Sequence, residues 1–234
     1  MNLVAISDLH LGSPHSKCRQ FRSFLSNLPP NTVLVLNGDT VDVEGRRMPA
    51  EHHAALSAIC AESLRRRVVW IWGNHDKNFV PDEPNSLELV PSFSVGKTFF
   101  AHGDRFMPIS QVYLVFARFM RAYRKRRVTK SLGTIKLAQS LPMLFNMLKK
   151  RSMANSVRFA VRNGYHTVVC GHLHDVEDTT LRGIRYINTG TWTDWPAYYL
   201  SHNKGKMQLT RANDVQMEAE GFGGRGSGKI TREA

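Results

Sequence analysis

The chain has 234 residues, 42% of them apolar, enough for a substantial buried core in one large domain. Cys18, Cys60 and Cys170 are odd in number and widely spaced, which excludes a disulfide framework or a zinc-finger spacing and marks them as small core residues. The formal charge of +13 is local: fourteen Lys or Arg and no Asp or Glu lie from Arg105 through His174, so the rest of the chain is close to neutral.

In chain order, apolar runs rich in β-branched and aromatic residues at Leu3–Ser7, Thr32–Leu36 and Val68–Trp72 read as buried strands. Between them, Phe21, Phe24, Leu25 and Leu28, then Ala54, Leu56, Ile59, Cys60 and Leu64, recur at helical spacing. This alternation predicts an α/β sheet with crossover helices. A further strand is expected at Lys97–Ala101. Past residue 105 the period becomes 3.6: Val112, Tyr113, Val115, Phe116, Phe119, Met120 and Tyr123 alternate with Arg118, Arg121, Arg124 and Lys125, as in a basic amphipathic helix over 112–127. Helical stretches are expected at Leu132–Gln139, Met143–Lys150 and Ser152–Asn163, with Pro142 as a break. Strands are expected again at Thr167–Cys170, Arg185–Asn188, Ala197–Ser201 and Lys206–Thr210. Gly221–Gly228 holds five glycines in eight residues, the composition of a disordered tail. The expected organisation is one domain over 1–220, with a helical basic insertion at about 105–163, and a tail at 221–234.

Five polar clusters follow predicted strands: Asp8-Leu9-His10; Gly38-Asp39 with Asp42; Gly73-Asn74-His75-Asp76; His102-Gly103-Asp104; and Gly171-His172-Leu173-His174. The carboxyl ends of strands in an open α/β sheet line a shared crevice. Half of the ten histidines fall in these clusters, and four of the five clusters carry a glycine that permits close approach of backbone and ligand. Carboxylate and imidazole donors without thiolate suit manganese, iron or zinc rather than a soft site. Two such ions about 3.5–4 Å apart can share a carboxylate and a water and clamp an in-line displacement at phosphorus.

In this order the motifs resemble the signature of the calcineurin-like metallophosphoesterases, over roughly residues 3–192. The resemblance implies a four-layer α/β/β/α sandwich and two divalent ions, Mn2+ in the first instance, with Fe or Zn as alternatives. It implies one ion on Asp8, His10, Asp39 and His174, and the other on Asp39, Asn74, His102 and His172. His75 would protonate the leaving oxygen or stabilise the charged phosphoryl group, with Asp76 orienting it. Asp42 and Asp104 are read as supporting or capping residues, and His15, His52, His53, His166 and His202 as surface residues.

Within that superfamily, the helical basic insertion and the close Tyr186-Ile187-Asn188-Thr189-Gly190-Thr191-Trp192 resemble the UDP-2,3-diacylglucosamine diphosphatases of lipid A synthesis. There the insertion is a lid over the metal site, which implies a phosphorylated substrate of the nucleotide-linked lipid class and peripheral contact of the lid with an anionic membrane. The alternatives are a phosphodiesterase, nuclease or phosphatase acting on nucleotides, and a non-catalytic scaffold of the same fold. Nucleic acid is the weaker partner for the charge, since no base-stacking module or DNA-binding motif accompanies it. No run reaches the roughly 20 apolar residues of a membrane span, and Met1–Ile6 has no basic flank or cleavage site. The expected location is the cytoplasm, with peripheral attachment at the inner membrane face.

Overall fold

A computed structural model of the chain describes residues 2–42, 48–107 and 142–212. The sequence-predicted helix at 112–127, the stretch Leu132–Gln139 and the glycine-rich tail lie outside the described residues. Strands β1 (Asn2–Ile6), β2 (Thr32–Asn37), β3 (Val68–Ile71) and β4 (Glu88–Val90) run parallel; β10 (Tyr198–Asn203) adds antiparallel to β1, and β11 (Lys206–Arg211) antiparallel to β10. The resulting order is β11-β10-β1-β2-β3-β4. A second sheet has the order β5-β6-β7-β9-β8, built from Phe93–Val95, Thr98–Phe100, Thr167–Cys170, Ile184–Thr189 and Val176–Leu181 respectively. Helices α1 (Cys18–Ser26) and α2 (Ala50–Ser63) connect the first three strands, and α3 (Pro142–Asn163) precedes β7.

The alternation of side chains along each strand divides the core into three layers of contact. In register, Val4, Leu34 and Val68, then Ile6, Leu36 and Trp70, form rows that pack on Phe21, Phe24 and Leu25 of α1 and Ala55, Leu56 and Ile59 of α2. The intervening row Leu200, Ala5, Val35 and Val69 turns the other way, against Phe93, Phe100, Val169 and Ile187 of the second sheet. That sheet's outer row, Phe99, Val168 and Tyr186, meets Val157 and Ala160 of α3. Three apolar interfaces require four layers, so the fold is an α/β/β/α sandwich. A full burial of Val, Leu or Ile stabilises by about 1.5–3 kcal/mol, so a one-residue slip that turned these rows over is strongly disfavoured.

The structure departs from the sequence expectations in three places. The stretches expected at Met143–Lys150 and Ser152–Asn163 are one continuous helix, with Pro142 at its start, where a missing N–H costs nothing. Strands β4, β5 and β8 were not expected: two have only three residues, and β8, Val-Glu-Asp-Thr-Thr-Leu, has no buried position and so no apolar run. His52 is not a surface residue; it is buried, on the same face of α2 as Ala55, Leu56 and Ile59. All three cysteines are buried and free, as expected. Among the described residues no helix is long and apolar enough to cross a membrane.

Candidate metal centre

Parallel strands from both sheets end on one side of the sandwich, and the sheets are joined there by buried polar contacts. Asn37 Nδ2 donates to the Val169 carbonyl at 3.3 Å, and the hydroxyls of Ser7 and Thr189 are 2.7 Å apart. The five clusters leave from these ends. Their backbone is unusual: Asp8, His10, Asp39, His172 and His174 all have positive φ, between 50° and 68°. Such conformations cost of order 1–3 kcal/mol each and persist where the surroundings over-determine them, as functional sites do.

Glycines make the convergence possible. A Cβ built at Gly38 would overlap the His102 ring, one at Gly73 would overlap the Asp39 carboxylate, and one at Gly171 would overlap that of Asp8. The close approach foreseen for a ligand is therefore used by the polar side chains themselves. Gly38 also holds φ +88°, which a side chain rarely adopts.

Two groups of donors result. Asp8, His10 and His174 form one, and Asp39, His102 and His172 the other. In the first, His174 Nε2 is 3.1 Å from Asp8 Oδ1, and the Nε2 atoms of His10 and His174 are 3.3 Å apart. In the second, His102 Nε2 is 3.1 Å from Asp39 Oδ2 and 3.2 Å from His172 Nδ1. The same Asp39 oxygen lies 3.8 Å from His10 Nε2, so this carboxylate faces both groups.

The outer ring nitrogens define the tautomers. His102 Nδ1 donates to the Asn37 carbonyl at 3.1 Å and His10 Nδ1 to Asp42 at 2.7 Å, which turns both Nε2 atoms inward. Asp8 Oδ1 is buried without a hydrogen bond, while Asp8 Oδ2 accepts the His172 N–H at 2.9 Å. A buried carboxylate oxygen whose neighbours are imidazole nitrogens, 3.1 Å away at the nearest, is a donor set that fits a cation.

The electrostatics agree. Burial opposes ionisation of Asp8, yet His174, His102 and His10 hold its carboxyl well below the usual range. Asp39, likewise against burial, is held down to about 2 by His102. Burial lowers the His172 imidazole to about 4, with His102 adding to the effect, so it is neutral and able to ligate.

His75 and Asp76 occupy different places. His75 is half-exposed at the mouth, its ring edge-on to His10 at 4.9 Å, and its Nδ1 is 3.0 Å from Asp42 Oδ1. Asp42 thus holds both His10 and His75, a stronger role than the sequence reading assigned. Asp76 does not orient His75. Its carboxylate is fully buried and accepts from Gly73 N at 2.6 Å, Thr40 N at 2.7 Å and Trp70 Nε1 at 3.0 Å. Sequence adjacency suggested the wrong pairing, since Asp76 turns inward to satisfy loop donors while Asp42 reaches the mouth from another strand end. The loop is set by those bonds and by the His75 N–H on Asp39 Oδ1 at 2.8 Å. Asn74, within this loop, is exposed, and Asp104 is exposed at the start of a 3-10 turn, Asp104–Phe106.

A third potential donor group, His10, Asp39 and His75, shares one member with each of these two, and a fourth, Cys18, Glu51 and His52, lies apart from them. Glu51 is ion-paired to Arg19 at 2.7 Å, and His52 Nδ1 accepts the Gly12 N–H at 2.9 Å, which fixes the loop after His10. The helical spacing of His52 with Ala55, Leu56 and Ile59 is the signal that would have placed it inside.

Comparison with known proteins bears on the same site. Residues 1–176 match the calcineurin-like phosphoesterase family. No curated protein matches the chain. Among solved structures, a cold-active protein-tyrosine phosphatase of a psychrophilic Shewanella sp. is similar at 12% identity and TM-score 0.51, covering 91% of this chain and 80% of that one. YfcE, a phosphoesterase from E. coli, is 15% identical with TM-score 0.44, covering 91% and 100%. A single-mutant Vps29 from Entamoeba histolytica is 14% identical with TM-score 0.43, covering 90% and 98%. The first of these likenesses speaks for the fold alone. The family match reaches into both sheets and through His174, and with the two donor groups it establishes that this chain belongs to the calcineurin-like phosphoesterase family and is a metal-dependent phosphoester hydrolase.

Proposed function

We propose that the chain hydrolyses the diphosphate of a nucleotide-linked lipid of the UDP-2,3-diacylglucosamine type, using two divalent ions, Mn2+ in the first instance. The observation that carries the hydrolytic reading is the carboxylate of Asp39 placed between two buried donor groups. In this reading Asp8, His10, Asp39 and His174 hold one ion, and Asp39, Asn74, His102 and His172 the other. The chemistry such ions supply when bound is a water of lowered pKa and neutralisation of charge at phosphorus.

The chain's own residues do the rest. Asp42 fixes His10 as a ligand and His75 as an acid with one carboxylate, so the ring that donates a proton to the leaving oxygen is registered to the ion pair. That bond raises the affinity of His75 for its proton against the effect of burial. A protonated His75 at the mouth meets the incoming phosphate as a cation.

The acid-free basic run supports the lipid substrate. So do Met143, 90% exposed, and Met147, which lie beside Lys150 and Arg151 on α3. Cationic and apolar groups side by side suit an acylated phosphate at an anionic membrane surface. The test is UMP release from UDP-2,3-diacylglucosamine by the Mn2+-loaded protein. Release stimulated by detergent or vesicles is the expected result. No turnover alongside good hydrolysis of a simple phosphodiester removes the lipid assignment. Affinity for polynucleotide that falls steeply with salt would favour a nuclease, and no hydrolysis of any ester would favour a scaffold.

A further inference from the structure

His10 and His102 are each held through their second ring nitrogen, by Asp42 and by the Asn37 carbonyl. His172 is fixed through its backbone, by its N–H on Asp8 and the Gly171 N–H on the His102 carbonyl at 2.8 Å. His174 has no such support among the described residues: its Nδ1 is buried without a hydrogen-bond partner, and its backbone sits at φ 53°. A ligating imidazole ordinarily owes its orientation to a hydrogen bond on the nitrogen that does not bind. Apart from the contacts of its Nε2 with Asp8 and His10, its orientation depends on the chain that carries it.

That chain is clamped one residue on. Lys149 Nζ is 2.6 Å from Asp175 Oδ2 and also contacts the Glu177 carboxylate. Glu177 lies in β8, paired with Asn188 of β9, so the clamp is fixed on the strand side by the sheet. On the helix side it follows buried Leu148. The Lys149 side chain is only 17% exposed, and one cation facing two carboxylates in partial shelter is less screened than a surface pair. Asp175 is also the first acid after the long basic run.

We propose that Lys149 is a positioning residue for His174: by holding Asp175 and Glu177 it ties α3 to the metal loop and sets the affinity of the Asp8–His10–His174 group for its ion. The inference rests on the metal-centre reading of those three residues. It makes occupancy of one metal position depend on how α3 is seated, and the other position independent of it.

The test is calorimetric titration of the metal-free, full-length protein with Mn2+. Wild type takes up two ions. Lys149→Met weakens one of them by about 10–100-fold, the range seen when an outer partner of a ligand is lost, and leaves the other unchanged; Lys149→Arg restores both. Glu177→Gln breaks the clamp from the strand side and serves where Lys149→Met folds poorly. Arg185→Met, which removes the Arg185–Asp178 pair across β9 and β8, is the control: it lowers the melting temperature as Lys149→Met does and leaves Mn2+ binding intact. Two wild-type affinities in Lys149→Met and Glu177→Gln, or the same loss in Arg185→Met, overturn the inference while the metal centre stands. A wild-type chain that binds no Mn2+ overturns the centre and the inference together.

Discussion

Replacing Asp76 separates a structural carboxylate from a catalytic one. In Asp76→Ala three donors lose their acceptor, Gly73 N, Thr40 N and Trp70 Nε1, at a position with no solvent access. An abandoned buried donor costs about 1–3 kcal/mol, and because neighbouring losses do not add fully the total is about 3–5 kcal/mol. For a chain of this size each kcal/mol lowers Tm by about 2–4 °C, so the melt falls by roughly 6–20 °C. Asp76→Asn keeps one oxygen for Thr40 N and Trp70 Nε1 and turns an amide nitrogen toward Gly73 N. Burial already disfavours the charged form of Asp76 and raises its pKa. The neutral amide avoids that penalty, so its cost is smaller, about 1–2 kcal/mol. The assay is thermal and urea unfolding of the metal-free protein, paired with hydrolysis of bis-p-nitrophenyl phosphate well below the melt. An unchanged melt in Asp76→Ala, with hydrolysis abolished, would refute the structural assignment and return Asp76 to a role in orienting His75.

His75→Ala should cut turnover by about 10²–10⁴-fold while two Mn2+ still bind; an unchanged rate would remove His75 from the chemistry. Asp42→Asn should lower turnover and also weaken Mn2+ by about 10–100-fold, and intact Mn2+ affinity would show that Asp42 does not support His10. Gly38→Ala places a methyl group in the His102 ring at an unfavourable φ, so one ion should be lost and the melt lowered; normal stoichiometry by elemental analysis contradicts the packing argument. In the metal-free protein burial opposes charge on His10 and His102, but Asp42, Asp8 and Asp39 outweigh it and push both up to about 10. At neutral pH both rings then carry protons an incoming ion must displace, so Mn2+ should bind with proton release and tighten as pH rises toward that value. Calorimetry in buffers of different ionisation heat reads the release; affinity independent of pH between about 6 and 9 contradicts it.

The hydrophobic runs at β1, β2, β3, β6 and β7 were legible because each strand is buried on both faces, so period and burial coincide along a few consecutive residues. Strand β8 was not, since neither of its faces is covered closely enough to demand an apolar residue. The same limit hid the pairing of second acids with histidines. Asp76 stands next to His75 in sequence and Asp42 far from it, yet the loop's donors capture the first and the crevice receives the second.

The sequence alone determined the donor chemistry, the clusters that supply it and the α/β layering, since residue type and local periodicity carry that information without reference to distant segments. Tertiary structure decided which donors lie together, that Asp42 serves two histidines, and that α3 reaches the loop after His174. Those are relations between positions as far apart as Asp8 and His172, joined by a hydrogen bond across 164 residues. They exist only once two sheets, each satisfying its own pattern, have packed face to face.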